Sequence, residues 1–174
     1  MFRQCTSLAT APELPANSIG DHSYDGMFYG CTSLRVAPEL PAKTIGQYSY
    51  NYMFYGCTSL ITAPKELPAK LPQAYCYCSM FDGCTSLINS PIIRMEYPTS
   101  YSFNEMFKGC SSLKVITCLC KDVSITHSMD RWVRGVSESG TFIKDPSIST
   151  WPEGEDGIPS GWTVEDYTEP SVVS

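Results

Sequence analysis

One eight-residue motif recurs five times along the chain, and no other feature constrains the fold as strongly. MFYGCTSL occupies residues 27–34 and, letter for letter, residues 53–60, and variants of it begin at Met1, Met80 and Met106. The leucines that end the motif are spaced by 26, 26, 27 and 26 residues: Leu8, Leu34, Leu60, Leu87 and Leu113. A fixed period between about 20 and 50 residues is typical of a solenoid, because each unit buries its apolar face only against its neighbour. The repeat therefore predicts a solenoid.

A short strand is predicted directly after each motif leucine. The clearest segments are LRVAP at 34–38, LITAP at 60–64 and LINSP at 87–91. Proline lacks the backbone N–H that a parallel ladder requires, so the prolines should end these strands and not lie inside them. The prolines concerned are Pro12, Pro38, Pro64 and Pro91. If the leucine and the residue three positions later point inward, the residue two positions after the leucine faces outward.

The rest of each repeat returns to the next strand through a segment rich in Tyr, Phe and Met, such as SYNYMFYGC at 49–57. Periodicity leaves two alternatives for this segment, a short helix or a tight irregular turn. The glycine before each motif cysteine is predicted to adopt a positive φ: Gly30, Gly56, Gly83 and Gly109. The predicted fold is an α/β solenoid, a leucine-rich-repeat-like arc of about five to six coils, with short parallel strands on one face and helical or irregular returns on the other.

The pattern changes after Leu113. The apolar residues within 126–136 have the helical spacing i, i+3, i+4 and i+7: Met129, Trp132, Val133 and Val136. Arg131 and Arg134 would lie on another face of this predicted helix. Residues 140–144 are predicted as a last strand, and Trp151 and Trp162 are expected to close the open end of the core. The domain prediction is a solenoid over 1–150, with repeats near 1–26, 27–52, 53–79, 80–105 and 106–128 and an atypical last coil at 129–150, then a C-terminal cover at 151–167 and a flexible tail at 168–174.

The motif resembles that of a known repeat family. MF-x-GCTSL followed by a short strand and a proline is similar to the F-x-GC-x-SL unit of the BspA-like leucine-rich repeats of bacterial surface proteins, and the similarity covers residues 1 to about 150. The resemblance implies a leucine-rich-repeat arc and a non-catalytic role in adhesion to host matrix proteins or to other cells. It also implies a location at the cell surface or outside the cell, although the N-terminal MFRQCTSLATAPELPA lacks the pattern of a signal peptide.

The charge distribution argues against nucleic-acid and membrane partners. Residues 1–150 contain twelve acidic and twelve basic side chains, whereas residues 151–174 contain six acidic side chains and no basic one. Phosphate binding needs a basic stripe, and the repeats have none. The sequence also lacks the apolar run of roughly 18 to 20 residues that a membrane helix requires. We therefore expect neither nucleic-acid binding nor membrane insertion.

Nine cysteines are many for a chain of 174 residues. Five of them share one position of the repeat and are predicted to form a buried, reduced ladder: Cys5, Cys31, Cys57, Cys84 and Cys110. The other four form two Cys-x-Cys pairs, Cys76/Cys78 and Cys118/Cys120, of which one member each is expected to point inward. A four-cysteine zinc site would need the two pairs to converge, but they lie in different parts of neighbouring repeats, so a metal site is not predicted.

Catalysis and cofactor binding are not predicted either. Nucleophilic catalysis requires a thiol or hydroxyl beside a base that a third group orients. The two histidines, His22 and His127, are interpreted as lying at non-equivalent positions of distant repeats, and neither adjoins a nucleophile motif. We therefore expect a protein that is not an enzyme and that uses no cofactor.

Two sets of side chains are candidates for contact with a protein ligand. The outward strand positions are Thr10, Val36, Thr62, Asn89 and Val115, whose uncharged and mildly apolar character suits a protein surface better than phosphates. Tyr29 and Tyr55 are the second set, because Asp82 and Lys108 replace them in later repeats, as happens at exposed positions. A third row, Glu13, Glu39 and Glu66, is interpreted as solvated, and the row Tyr24, Tyr50, Tyr77 and Phe103 is predicted to lie in the core.

Two interpretations of function stay open at this point. The chain is either a binding module, whose repeated surface adds many weak contacts, or a structural spacer with no ligand of its own. An exposed apolar or aromatic patch would favour the binding module. Met1 is in register with the other motif methionines, so we also expect the chain to be part of a longer array, with a first strand near 8–11 that associates edge to edge with a second copy.

Overall fold

The strands of the protein run parallel and follow one another in chain order. The structure, a computed structural model, describes residues 1–71 and 73–170. Its strands are β1 (Glu66–Leu67), β2 (Asn89–Ile93), β3 (Val115–Cys118), β4 (Thr141–Lys144) and β5 (Thr163–Asp166), and they form one sheet of order β1-β2-β3-β4-β5. This is a parallel β-solenoid of about four turns. The predicted solenoid and its parallel strands are thereby confirmed, whereas the α/β class and the count of about five to six coils are not.

In the N-terminal repeats, neighbouring segments pair mainly through isolated bridges. Two parallel columns of bridges are present, one through Val36, Thr62 and Asn89 and one through Ser18, Thr44 and Leu71. Pairing along the first column stops because proline follows two residues later, at Pro38 and Pro64, as predicted.

Pro91 departs from this prediction, because it lies inside β2. The pairing of β2 with β3 shifts register between Asn89 and Ile92, which places the proline in an irregularity of the ladder. The backbone N–H of Thr117 donates to the Ser90 hydroxyl at 3.0 Å, so a side-chain oxygen serves as acceptor at this point. Because the ladder is irregular at this point, the strand tolerates a residue without an N–H.

The return segments are turns, and the helical alternative is wrong for the described residues, none of which lies in a helix. Along these segments, successive backbone N–H groups donate alternately to a carbonyl oxygen of the next repeat and to a carbonyl oxygen three residues earlier in the same repeat. The Phe54 N–H donates to the Met80 carbonyl oxygen (2.8 Å), and the Tyr55 N–H donates back to that of Tyr52 (3.1 Å). We call this arrangement the turn ladder, residues 22–31, 48–57, 75–84, 101–110 and 127–136.

A positive φ at every fourth residue explains why the turn ladder is not helical. Gly30, Gly56, Gly83 and Gly109 have φ values of 68°, 68°, 75° and 72°, which confirms the predicted left-handed glycines. Further positive values occur four and eight residues earlier, as at Tyr52 (51°) and Tyr48 (54°). A left-handed residue once per turn breaks the hydrogen-bond pattern that a helix needs.

Residues 126–136 continue the turn ladder, so the predicted helix there is wrong. The Phe107 N–H donates to the Trp132 carbonyl oxygen at 2.8 Å, as in the earlier repeats. Met129, Trp132 and Val133 are buried nevertheless, because a turn of four residues places side chains inward at nearly the spacing of a helix. Arg131 and Arg134 are exposed.

The C-terminal part adds one strand more than predicted. β4 lies where the strand at 140–144 was expected, but it is not the last strand, because β5 forms within the predicted cover at 151–167 and pairs with β4. Trp162 is buried, and Trp151 packs on the core with its ring 4.9 Å from that of Phe142. Of the predicted flexible tail at 168–174, residues 171–174 lie outside the described residues.

Stacked aromatic rings run through the core from repeat to repeat. One stack contains Phe2, Phe28, Phe54, Phe81 and Phe107, with ring centroids 5.4 to 5.6 Å apart. The predicted core row forms a second stack, in which Tyr50, Tyr77 and Phe103 are buried and Tyr24 is half-buried. In the part of the chain that the structure describes, no helix is long and apolar enough to cross a bilayer.

Candidate functional site

The predicted contact row lies on the strand side of the solenoid. Val36 bridges to Thr62, Thr62 to Asn89, and Asn89 pairs with Val115 across β2 and β3. Thr10, Val36, Thr62 and Asn89 are exposed, and Val115 is half-buried. The structure therefore brings four of the five predicted residues together in one paired column: Val36, Thr62, Asn89 and Val115.

The preceding residue in each repeat is also exposed or half-buried, and the sequence interpretation missed it. The Arg35 carbonyl oxygen accepts hydrogen bonds from the N–H groups of both Ile61 (2.9 Å) and Thr62 (3.2 Å). One carbonyl facing two N–H groups is the signature of an irregular strand, in which consecutive side chains need not alternate. Ile61 is therefore half-buried and Thr62 exposed after the buried Leu60, and the equivalent residues Arg35 and Val36 are both exposed.

We call the resulting surface the strand face. It consists of Arg35, Val36, Ile61, Thr62, Ile88, Asn89, Lys114 and Val115. Val36 is 56% exposed and Ile88 is 44% exposed, which is high for aliphatic side chains. Arg35 and Lys114 place a positive charge towards each end, and the strand face contains no carboxylate. This surface is uncharged and mildly apolar in its middle and basic at its ends.

The acidic row beside the strand face is already engaged. Glu39 accepts a hydrogen bond from the Lys65 N–H at 3.0 Å, and Glu66 forms an ion pair with Arg94 at 2.9 Å. Arg94 also pairs with Glu169, so residues near the C-terminus contact the side of β2. Glu13 is exposed. Structural contacts therefore account for two of these three carboxylates.

Tyr29 and Tyr55 lie on the turn ladder and not on the strand face. Their rings stack with centroids 4.7 Å apart, and the guanidinium of Arg3 covers the other face of Tyr29 at 4.4 Å. In the following repeats the column continues with Asp82 and Lys108, which form an ion pair at 3.5 Å. The two sets of predicted contact residues therefore belong to different surfaces.

The two histidines occupy equivalent positions, and the interpretation of them as non-equivalent is wrong. Both belong to one column of stacked rings on the turn ladder, which we call the ring column: His22, Tyr48, Tyr75, Tyr101 and His127. Successive centroids are 4.8, 4.7, 4.7 and 5.3 Å apart. The signal was present in the sequence, because each of these residues precedes the motif methionine, or Trp132, by five positions.

Each histidine of the ring column has a carboxylate partner. His22 Nδ1 lies 3.2 Å from the Asp25 carboxylate, and His127 Nδ1 lies 2.6 Å from that of Asp130. Both imidazoles are exposed. A nucleophile at hydrogen-bond distance, which catalysis would require, is not among the hydrogen-bond partners of either ring within the described residues.

Four of the five ladder cysteines are buried as predicted. Each thiol donates to a phenylalanine carbonyl oxygen of the preceding repeat at 3.0 to 3.1 Å, from Cys31, Cys57, Cys84 and Cys110. Burial raises the pKa of Cys57 to about 12. Cys5 is exposed, so the prediction of burial is wrong for this residue. All nine cysteines are free thiols.

The expectation for the Cys-x-Cys pairs is wrong. Cys76, Cys78, Cys118 and Cys120 are all buried, because the irregular chain directs both members of each pair away from solvent. The Cys118 and Cys120 sulfur atoms lie 3.3 Å apart. Within the described ranges no group of three or more His, Cys, Asp or Glu side chains is placed to hold a metal ion.

Comparison with known proteins leaves the family assignment untested. No family model, no curated protein and no solved structure matches the chain. The resemblance to BspA-like repeats therefore remains a prediction from the motif itself.

Proposed function

We propose that the chain is a non-catalytic protein-binding module of the BspA-like leucine-rich-repeat type, which acts in adhesion at a bacterial cell surface. One observation carries the proposal. The strand face presents two strongly exposed aliphatic side chains two repeats apart, Val36 at 56% and Ile88 at 44% exposure, which stand on neighbouring columns of the same face. Exposed apolar side chains grouped on one face are a usual mark of an interaction site on a protein surface.

The geometry of the strand face suits a protein ligand. Its side chains stand on backbone that is hydrogen-bonded from repeat to repeat, so little conformational entropy is lost when a partner docks. Its uncharged, mildly apolar centre suits the core of a protein interface, and Arg35 and Lys114 fit an interface rim. The partner that this surface fits has an apolar patch flanked by carboxylates, as in a protein of a host matrix or of another cell.

The strand face is tested by placing charge in its centre. Val36→Lys and Ile88→Lys each put an ammonium group at an exposed position, so the fold should tolerate them. Binding to immobilised fibronectin and collagen is measured by surface plasmon resonance, and we expect each variant to bind about tenfold more weakly, as for loss of an interface anchor.

Tyr97→Lys is the matched control. Tyr97 is 56% exposed and lies off the strand face, so the substitution adds the same charge at similar exposure. We expect it to bind as the unsubstituted chain does. If no matrix protein and no host cell binds the chain, the alternative function, a structural spacer or scaffold array without its own ligand, replaces the proposal.

A further inference from the structure

The ring column brings three tyrosines face to face at the surface. Tyr48, Tyr75 and Tyr101 stack with centroids 4.7 Å apart at both steps and with ring planes within 9° and 6° of parallel. All three are half-buried, so part of each ring is open to solvent. Their backbones are tied together, since the Tyr48 N–H donates to the Ala74 carbonyl oxygen and the Tyr75 N–H to that of Ser100, both at 3.3 Å.

A shorter stack repeats this arrangement on the same side of the solenoid. The rings of Tyr29 and Tyr55 are 4.7 Å apart and within 7° of parallel. Tyr52 meets the edge of Tyr55, with centroids 5.7 Å apart. The turn ladder therefore holds two accessible sets of phenols in which neighbouring rings are in contact.

The stacked tyrosines of the ring column do not serve to fill the core, because their rings lie at the surface. The interior already has its own aromatic stacks, and Tyr50 and Tyr77 of those stacks are buried. The ring column lies outside them, at residues held at positive φ such as Tyr75 (59°), a backbone conformation that is costly for a side chain of this size. Desolvation raises the pKa of Tyr75, and the neighbouring phenols of Tyr48 and Tyr101 raise it further.

We propose that the ring column is a site of oxidative tyrosine cross-linking, in which Tyr75 bonds covalently to Tyr48 or Tyr101, and that Tyr29 and Tyr55 form a second such site. The co-reactant is hydrogen peroxide with a haem peroxidase as one-electron oxidant. Each phenol loses one electron and one proton, the two phenoxyl radicals form a carbon–carbon bond between ring positions ortho to oxygen, and the ortho hydrogens move to the oxygens. The pair loses two hydrogen atoms, and one peroxide becomes two water molecules.

The structure favours this coupling because the partners are already in place. Two radicals on separate molecules must meet by diffusion, whereas stacked rings on a rigid backbone have a high effective concentration for each other. The histidines at both ends limit the ring column to its three tyrosines. A bond across either step would link consecutive repeats covalently, in addition to the hydrogen bonds that already join them.

The test treats the full chain with peroxidase and hydrogen peroxide at several protein concentrations and records dityrosine fluorescence. We expect a signal on monomeric protein whose yield per chain does not depend on concentration. Trypsin cleaves after Lys43, Lys65, Lys70, Arg94 and Lys108 and so separates the three tyrosines. Mass spectrometry should find peptide 71–94 joined to peptide 44–65 or 95–108 with the loss of two hydrogen atoms, and fragmentation of the joined peptides should place the bond at Tyr75 and not at Tyr77.

Matched variants separate the two sites from ordinary oxidation. Tyr75→Phe removes the central phenol of the ring column and keeps a ring in the stack, so all cross-links to peptide 71–94 should disappear. Tyr55→Phe should abolish the second site, and the double variant should lose nearly all monomer fluorescence. Tyr97→Phe removes a tyrosine that is 56% exposed and has no stacked partner among the described residues, and it should leave the yield unchanged.

Three results would overturn the proposal. The first is dityrosine that forms only between molecules, with a yield that rises with concentration. The second is a cross-link that maps to the buried pair Tyr50 and Tyr77, whose rings are also stacked but lie inside. The third is a Tyr75→Phe variant that cross-links as well as the unsubstituted chain while its circular dichroism is unchanged.

Discussion

The left-handed glycine of the motif offers a clean test of the turn ladder. Gly56 has φ of 68°, and a Cβ added there would meet no atom within 4 Å in the described part of the chain. Substitution therefore introduces backbone strain without a steric clash at Cβ. An alanine in the left-handed region costs roughly 1 to 2 kcal/mol, and a β-branched valine costs up to about 3 kcal/mol.

Urea denaturation of Gly56→Ala and Gly56→Val measures these costs as a lower free energy of unfolding. Thr58→Ala is the control, because Thr58 is exposed two residues away, and we expect it to change stability by less than about 0.5 kcal/mol. Gly83 has φ of 75°, and its Cβ would lie at an ordinary 3.7 Å from Gly56 Cα, so Gly83→Ala should cost the same as Gly56→Ala.

A second glycine separates strain from steric overlap. A Cβ on Gly46 would lie 2.4 Å from the Asp21 backbone nitrogen, so backbone atoms must move to accommodate it. Gly46→Ala should therefore destabilise the protein more than Gly56→Ala does. A Gly56→Val protein as stable as the unsubstituted chain would refute the left-handed turn, and the reverse order of the two alanine variants would refute the packing of Gly46 on the neighbouring repeat.

Three further predictions concern the core and its thiols. Phe54→Ala should lower the free energy of unfolding, measured by urea denaturation, by about 3 to 5 kcal/mol, because Phe54 is buried between Phe28 and Phe81. Phe2→Ala should lower it clearly less, because Phe2 is partly buried and stacks on Phe28 alone. Equal costs would contradict the stack. With a thiol reagent, Cys5 should react at once and the buried ladder cysteines only after denaturation; fast reaction of all nine would contradict their burial. Burial raises the pKa of Cys57 from 9.0 to about 12, so between these pH values the folded state keeps a proton that the unfolded state releases. The urea midpoint should therefore fall as pH rises from 9 towards 12, and a Cys57→Ser variant should show a smaller fall.

The parts of the fold that follow from the repeat itself were predictable. Leu34 and Ala37 point inward and Val36 outward because the motif carries apolar residues at fixed offsets, and only glycine recurs where φ near 70° is needed, as at Gly56. The inward row of Tyr50, Tyr77 and Phe103 follows from the same register.

The errors have physical causes of their own. At residues 126–136 a turn of four residues buries Met129, Trp132 and Val133 at nearly the spacing of a helix, so the pattern does not distinguish the two. Pro91 was wrongly excluded from a strand because the register shift between Asn89 and Ile92, which accommodates the proline, leaves no signal in the sequence pattern. β5 pairs with β4 although its segment carries no copy of the motif, so the repeat pattern did not predict this strand.

The candidate surfaces were predictable only in part. Val36, Thr62 and Asn89 were placed correctly, but Ile88 was missed because only the position two residues after each leucine was assigned to the surface. The ring column was missed because His22 and His127 were compared with nucleophile motifs and not with the tyrosines at the same position of the other repeats.

Hydroxyl-radical footprinting of the chain with and without bound matrix protein tests the role of the strand face most directly. Val36 and Ile88 are exposed aliphatic side chains that radicals oxidise, and Tyr97 provides an exposed reference off that face. We predict that fibronectin or collagen protects Val36 and Ile88 and leaves the oxidation of Tyr97 unchanged. Unchanged oxidation of Val36 and Ile88 in the presence of the matrix proteins, or protection confined to Tyr29 and Tyr55 on the turn ladder, would contradict binding through the strand face.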